Sequence, residues 1–246
     1  MNSQKQVNMV DLNNVDLNEV KSKLYENLKA SGWGDKLKTF ILSSEFQSIL
    51  ENLLYEAQQG KRFTPPVKQI FRAFEQCPID KVKVVFISQD VYTQPYVADG
   101  IPFSCSNTGR PESPLKYIFK AIEDTVYTEG YNPDPDLARW SNQGVLMLNC
   151  ALTTTIHKIG AHYDLWKPFL SFLFDYLLIN KPGLIYVFIG RKSEEWMDLL
   201  PEDALKLTVS HPASASYKEL PFWDCKNIFN EINSMLVKQN NEKITW

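Results

Sequence analysis

Val82-Lys83-Val84-Val85-Phe86-Ile87, running straight into Ser88-Gln89-Asp90, decides the fold. The run is short, β-branched and carries a single charge, the pattern of a strand buried on both faces in a parallel sheet. Similar runs follow at Gly144-Val145-Leu146-Met147-Leu148-Asn149, at Leu184-Ile185-Tyr186-Val187-Phe188-Ile189 and, more weakly, at Leu205-Lys206-Leu207-Thr208-Val209. Apolar residues recur at helical spacing between and after them, over residues 115–125, 169–178, 193–200 and 227–237. Upstream, Val20, Leu24 and Leu28 mark a helix over 18–28. Phe46, Ile49, Leu50, Leu53 and Leu54 mark another over 45–57, stopped by Gly60. Phe63-Thr64-Pro65-Pro66 forces extended backbone, and 67–75 returns to a helical pattern. Strands alternating with helices predict a single α/β domain over residues 18–246, with a central four-stranded, mostly parallel sheet flanked by helices.

Composition sets the class. The chain has 246 residues, 44% hydrophobic and 22% charged, ordinary for a globular protein. No apolar run is long enough to span a membrane. The polar, Asn-rich stretch 1–17 lacks the apolar core of a secretory signal, so it is expected to be a flexible arm on a cytoplasmic protein. Cys77, Cys105, Cys150 and Cys225 are far apart with no CxxC spacing, which argues against disulfides, structural zinc and iron–sulfur clusters. Each sits in or beside an apolar segment, where cysteine serves as a small core residue. The net charge of −3 gives no sign of a nucleic-acid partner, although binding depends on local charge at the contact face rather than on the sum.

Polar residues gather where the strands end. Ser88-Gln89-Asp90 follow the first, Asn149 closes the second, Gly190-Arg191-Lys192 follow the third and Ser210-His211 the fourth. Ligand sites of open α/β sheets lie outside the carboxyl ends of strands, so these positions converge on one site. There is no GxGxxG or GxxxxGK[ST] phosphate loop, no HExxH and no GxSxG elbow. His157 and His162 are five apart, which suits no standard metal pattern. The rim instead offers a carboxylate (Asp90), an imidazole (His211), two amides (Gln89, Asn149) and two aromatics (Tyr92, Phe103). Such a set suits a flat polar ring, read along its edge and stacked on its face. Singly, each residue has a plainer explanation: Asp90 as a helix cap, Asn149 as a turn cap, His211 as a satisfied loop imidazole, and Tyr92 and Phe103 as core.

The joint pattern is more specific. Ser88-Gln89-Asp90-Val91-Tyr92-Thr93-Gln94-Pro95-Tyr96-Val97-Ala98-Asp99-Gly100-Ile101-Pro102-Phe103-Ser104 aligns without a gap to GQDPYHGPGQAHGLCFS. It thus resembles the water-activating motif of family 1 uracil-DNA glycosylases. Residues 144–153 resemble that family's GVLLLNxxLT segment, Ser210-His211-Pro212-Ala213-Ser214 its HPSP loop, and Phe222-Trp223-Asp224-Cys225 its FFGC segment. Trp33, Glu45-Phe46 and residues 63–74 resemble its amino-terminal half.

The resemblance implies roles. Asp90 would position the attacking water and stabilise the sugar cation. His211 would donate to uracil O2 from a neutral imidazole. Asn149 would read uracil O4 and N3–H, Tyr92 would exclude a C5 methyl, Phe103 would stack on the base, and the Gln89 backbone would help to hold it. Ser113, Arg191, Ser214 and Tyr217 would contact DNA. No metal or cofactor is implied. The partners implied are uracil-containing DNA, single- or double-stranded, and a protein inhibitor that mimics it, with the enzyme acting as a monomer.

The departures fall mainly on the DNA-gripping loops. Val91 replaces a proline, Ser88 a glycine and Thr93 a histidine of the motif. The proline-rich clamp PPPPSL is reduced to Arg110-Pro111-Glu112-Ser113-Pro114-Leu115, and Arg191 stands where serine or asparagine is usual. The intercalating leucine aligns with Ala215, which leaves Tyr217 or Leu220 to fill a vacated stack, and the segment 156–166 is shortened. A divergent member is expected, of the kind a virus or mobile element carries and working in the host cytoplasm. Two other functions stay open: a DNA-binding or replication-associated subunit with weak catalysis on the same fold, and a glycosylase with altered base preference.

Overall fold

The computed structural model describes residues 12–127 and 129–246. All four expected strands form: β1 (Val84–Ser88), β2 (Val145–Asn149), β3 (Ile185–Ile189) and β4 (Leu205–Val209). They pair in the order β2-β1-β3-β4, and every pair is parallel. β1, β2 and β3 are buried along their whole length, which is why they read as unbroken apolar runs. β4 is an edge strand, half-exposed from Leu205 to Thr208, which accounts for its weaker pattern. The β1–β2 register sets Ser88 opposite Asn149, so two of the expected site segments leave the sheet side by side.

Among the described residues, six helices of eight residues or more surround the sheet: α1 (Leu17–Lys29), α2 (Trp33–Ile41), α3 (Ser44–Gln58), α4 (Ser113–Ile122), α5 (Tyr163–Asn180) and α6 (Ile228–Lys238). Asp16 caps α1 through the amides of Asn18 and Glu19, and Ser43 caps α3 through Phe46, each satisfying amides that a helix start leaves free. Of the arm expected over 1–17, residues 1–11 lie outside the described residues and Leu17 opens α1.

The core has an aromatic cluster on α2, α5 and the segment between α3 and β1, where Trp33, Phe71, Phe74, Trp166 and Phe169 meet mostly edge to face. Buried Trp33 donates its indole N–H to Cys77 O at 2.8 Å, so its one polar atom is satisfied. A second cluster packs Trp246 against Phe86, Trp140 and Phe229. The four cysteines are free and buried, as expected of small core residues. No helix among the described residues is long and apolar enough to cross a membrane.

Several helix boundaries differ from expectation. The helix over 67–75 is a 3₁₀ turn, Val67–Gln69, followed by a short helix, Arg72–Gln76, because Ile70 and Phe71 between them are both driven into the core. Residues 193–200 likewise divide into Arg191–Glu194 and a 3₁₀ turn Met197–Leu199 around buried Trp196. α5 starts ahead of Pro168 rather than after it. Fully buried Trp166 holds its first turns in place despite the one backbone bond that proline cannot make. α4 ends at Ile122 and continues as a π-helical turn, Glu123–Tyr127.

Candidate active site

The loop from Ser88 to Ser106 leaves β1 and is tied at its centre by Asp99, which is fully buried. The Asp99 carboxylate accepts from Ile101 N at 3.0 Å, Ser104 Oγ at 2.6 Å, Ser106 N at 2.9 Å and Ser106 Oγ at 2.6 Å, and pairs with Arg72 Nη1 at 3.0 Å. Arg72 also grips Asp136 with two bonds of 2.8 Å. A buried carboxylate so fully paired is a rigid anchor, and removing it would leave the loop's amides and hydroxyls without their shared acceptor and Arg72 with Asp136 alone. The anchor fixes Phe103, whose φ of 63° lies in the left-handed region that a bulky residue enters only under constraint. Tyr92 donates its hydroxyl to Phe103 O at 3.2 Å, closing one wall.

The structure brings Gln89, Asp90, Tyr92, Phe103 and His211 to one cavity of about 320 Å³, with Ser113 and Tyr217 on its mouth. That volume suits one planar base or a similarly small molecule. Arg191 and Ser214 line an adjoining groove of about 510 Å³ with Lys218 and Lys226, and Gln89 and His211 belong to both depressions. Asn149, 3% exposed, does not line the cavity wall; it sits at the strand end opposite Ser88, and Cys150 N donates to Gln89 O at 3.0 Å.

Asp90 is half-buried. Its Oδ2 accepts from Gly160 N at 2.6 Å, while Oδ1 has no partner among the described residues. Burial raises its pKa, and the Tyr163 hydroxyl, the Gly160 amide and the charges of His162 and Lys192 oppose that rise. The same neighbourhood pushes the Tyr163 phenol far above its usual range, through burial first and Asp90 second. Asn149 Oδ1 is likewise buried without a partner. Unpaired buried acceptors are uncommon in native proteins, and two beside one cavity mark a site prepared to receive donors.

His211 follows β4, and Trp223 supports its loop by donating to Ser210 O at 3.0 Å and Ser210 Oγ at 3.1 Å. Its Nδ1 accepts from Ala213 N at 3.2 Å. A backbone amide can only donate, so Nδ1 is unprotonated and Nε2 carries the hydrogen. Burial lowers the imidazole pKa to about 4, so His211 is a neutral donor at physiological pH. Its ring lies 5.3 Å from that of Phe103. Gly190, at φ 88°, ends β3 between the segments that leave β1 and β4: a Cβ there would strike the Gln89 side-chain amide and lie 2.9 Å from His211 Cβ.

At the mouth, Ser113 at the start of α4 bonds Ser216 Oγ at 2.7 Å, joining α4 to the short helix Ala213–Tyr217. Glu112 also lines the cavity. Ala215 is buried, whereas Tyr217 is 80% exposed and Leu220 46% exposed. Sequence reasoning missed Gly160, Ile159 and Tyr163, which reach Asp90 or its cavity from the shortened segment 156–166. The single legible trace was the placement of that altered segment next to the strand ends.

Comparison with known proteins agrees with this geometry. Residues 74–236 match the family profile of the uracil DNA glycosylase superfamily. A uracil-DNA glycosylase of Acinetobacter baumannii (strain SDF) is 30% identical over 216 residues, covering 87% of this chain and 90% of the relative. One from Ureaplasma parvum is 32% identical over 216 residues, covering 86% and 100%. Among solved structures, a mimivirus uracil-DNA glycosylase superposes with a TM-score of 0.78 at 25% identity, covering 94% of this chain and 89% of that one. A Y322L variant of mimivirus UNG in complex with UGI superposes at 0.77, also at 25% identity, covering 95% and 97%.

Proposed function

The chain belongs to the uracil-DNA glycosylase superfamily, and from that premise we propose that it is a DNA-repair glycosylase, a hydrolase that releases uracil from deoxyuridine in DNA and leaves an abasic site. The observation that carries the reading is the pairing of a buried, half-satisfied Asp90 carboxylate with a neutral His211 across one base-sized cavity. The base must leave the stack to reach such a cavity, at a cost of a few kcal/mol that pocket contacts offset. Phe103 stacks on it, and Tyr92 closes the space a C5 methyl would need. Asn149, buried behind Gln89 at the strand end, is the reader proposed for a base seated to full depth: its Oδ1, unpaired among the described residues, takes N3–H and its amide gives to O4, a pattern that cytosine cannot match.

As the glycosidic bond breaks, its electron pair stays with the base. Nε2–H of His211 donates to uracil O2, where the negative charge collects. Asp90 Oδ2 is engaged by Gly160, so Oδ1 is the acceptor for a water placed against C1′. The carboxylate charge also favours the sugar cation. Water adds OH to C1′ and its proton balances the uracil anion. Ser113 and Tyr217 at the mouth, and Arg191 and Ser214 in the adjoining groove, grip flanking DNA. We propose further that the protein acts as a monomer in the cytoplasm. A Y322L variant of mimivirus UNG forms a complex with UGI, and here the cleft between Asp90 and His211 is the surface proposed for a uracil-mimicking protein inhibitor.

The test is uracil release from a single-stranded oligonucleotide bearing one deoxyuridine, comparing wild type with Asp90→Asn. Release that falls by orders of magnitude in the variant, with folding intact, is expected. No release from folded wild type at low and moderate salt would favour a catalytically retired DNA-binding subunit, for which Glu112 at the mouth and buried Ala215 are the structural arguments.

A further inference from the structure

A second groove, of about 650 Å³, lies on the far side of the Asp90 loop from the candidate site. Thr93 and Gln94 line the catalytic cavity, and the next two residues, Pro95 and Tyr96, line this groove. A bond from His157 N to Thr93 O, 3.0 Å, forms part of the wall between them. Lys61, Arg62 and Lys68 project into it, all exposed, and no carboxylate is among its lining residues. No salt bridge among the described residues engages any of the three cations. In a chain of net charge −3, such a cluster is a local reversal of sign.

Tyr96 is the second observation. Its φ is 65° and it is 77% exposed. The motif quoted above has glycine at this position, the residue that backbone conformation favours. A bulky side chain held there at some cost, with its ring in solvent, has no packing role among the described residues to explain it. An exposed aromatic ring beside a row of cations is the arrangement by which proteins hold single-stranded nucleic acid, bases stacking on rings and phosphates meeting ammonium and guanidinium groups. Tyr96 is three residues from Thr93, at most ~11 Å of chain, close enough for a nucleotide flanking the flipped one to reach its ring.

We propose that Tyr96 with Lys61, Arg62 and Lys68 forms a secondary site for single-stranded DNA on one side of the flipped nucleotide, one flanking base stacking on Tyr96. The proposal rests on the glycosylase reading for its substrate, but its binding can be measured apart from catalysis. The first readout is fluorescence anisotropy of a uracil-free, labelled single-stranded oligonucleotide of about fifteen nucleotides, long enough for both sites. Tyr96→Gly, which relieves the backbone, should weaken binding about fivefold or more, while Tyr96→Phe should bind as wild type does. Lys61→Ala/Arg62→Ala/Lys68→Ala should lower the slope of log affinity against log salt by about 2.

The second readout is uracil release from an oligonucleotide of about five nucleotides and from versions extended on the 5′ or the 3′ side only. Extension on one side should lower KM in the wild type and much less in Tyr96→Gly, read as the ratio of extended- to short-substrate KM within each protein. Wild-type affinity in Tyr96→Gly, with an unchanged salt slope in the triple variant, would overturn the secondary site even if uracil is released. Tyr96-dependent binding without any release would instead sink the glycosylase reading and leave the groove standing.

Discussion

Gly160 N donates to Asp90 Oδ2 at 2.6 Å across 70 residues of sequence, and the Tyr163 ring packs against the same glycine: a Cβ on Gly160 would lie 2.9 Å from Tyr163 Cε2. The turn before α5 thus presents an amide and a phenol to one carboxylate. Burial holds the Asp90 pKa up, and the Tyr163 hydroxyl is the largest influence pulling it back down. Tyr163→Phe removes that influence, so Asp90 stays protonated to higher pH. The acid limb of kcat for uracil release should move upward, with the plateau largely retained, in a profile taken between about pH 4 and 8. An unmoved limb would mean that Tyr163 only fills space.

His211 makes stability depend on pH. Its folded pKa is about 4, below the ordinary 6.5, so the unfolded chain binds a proton that the folded chain refuses. Stability is therefore intact above pH 6.5 and falls as pH drops toward 4, by up to about 3 kcal/mol at 1.36 kcal/mol per pKa unit. Urea midpoints measured across that window should fall less steeply for His211→Leu than for the wild type.

Gly190→Ala places a Cβ against Gln89 and His211 at a φ of 88°. The left-handed backbone costs about 1–2 kcal/mol with a Cβ present, and the clash adds about as much again. Displacing His211 by even part of an ångström should lower kcat on the order of a hundredfold. Thermal melting and kcat, measured on the same preparation, check both halves.

Arg191 lines the groove beside His211 with Lys218 and Lys226. If it meets a phosphate, Arg191→Ala should reduce the salt slope of kcat/KM on single-stranded substrate by about 0.7 and leave the preference for uracil alone. An unchanged slope would assign the groove's grip to the two lysines.

The chain announced its sheet more clearly than its helices. β1, β2 and β3 are covered on both faces, so nothing interrupts their apolar runs, whereas β4 is half-exposed from Leu205 to Thr208 and read weakly. α2 went unnoticed although Trp33, Leu37, Phe40 and Ile41 carry its helical period, because a nine-residue helix between two others offers little pattern of its own. The residues at strand ends were legible because topology alone sends them to one rim. Gly160 and Tyr163 were not: their role exists only through a tertiary contact, in a segment whose spacing departs from the family pattern. α5 opens at Tyr163, ahead of the apolar period read from 169, since buried Trp166 outweighs the one backbone bond lost at Pro168.

Gly190 also bears on how the molecule can change. Its missing side chain works as a feeler gauge between two strand ends, one carbon thick, with Gln89 on one side and His211 on the other. The outer loops can drift, change length or exchange residues without altering that gap, as Arg191, the reduced clamp at 110–115 and the shortened segment 156–166 already illustrate. Tolerance of change in the DNA-gripping surface and intolerance at the pocket then have one common cause: the chemistry is spaced by backbone, and the grip by side chains.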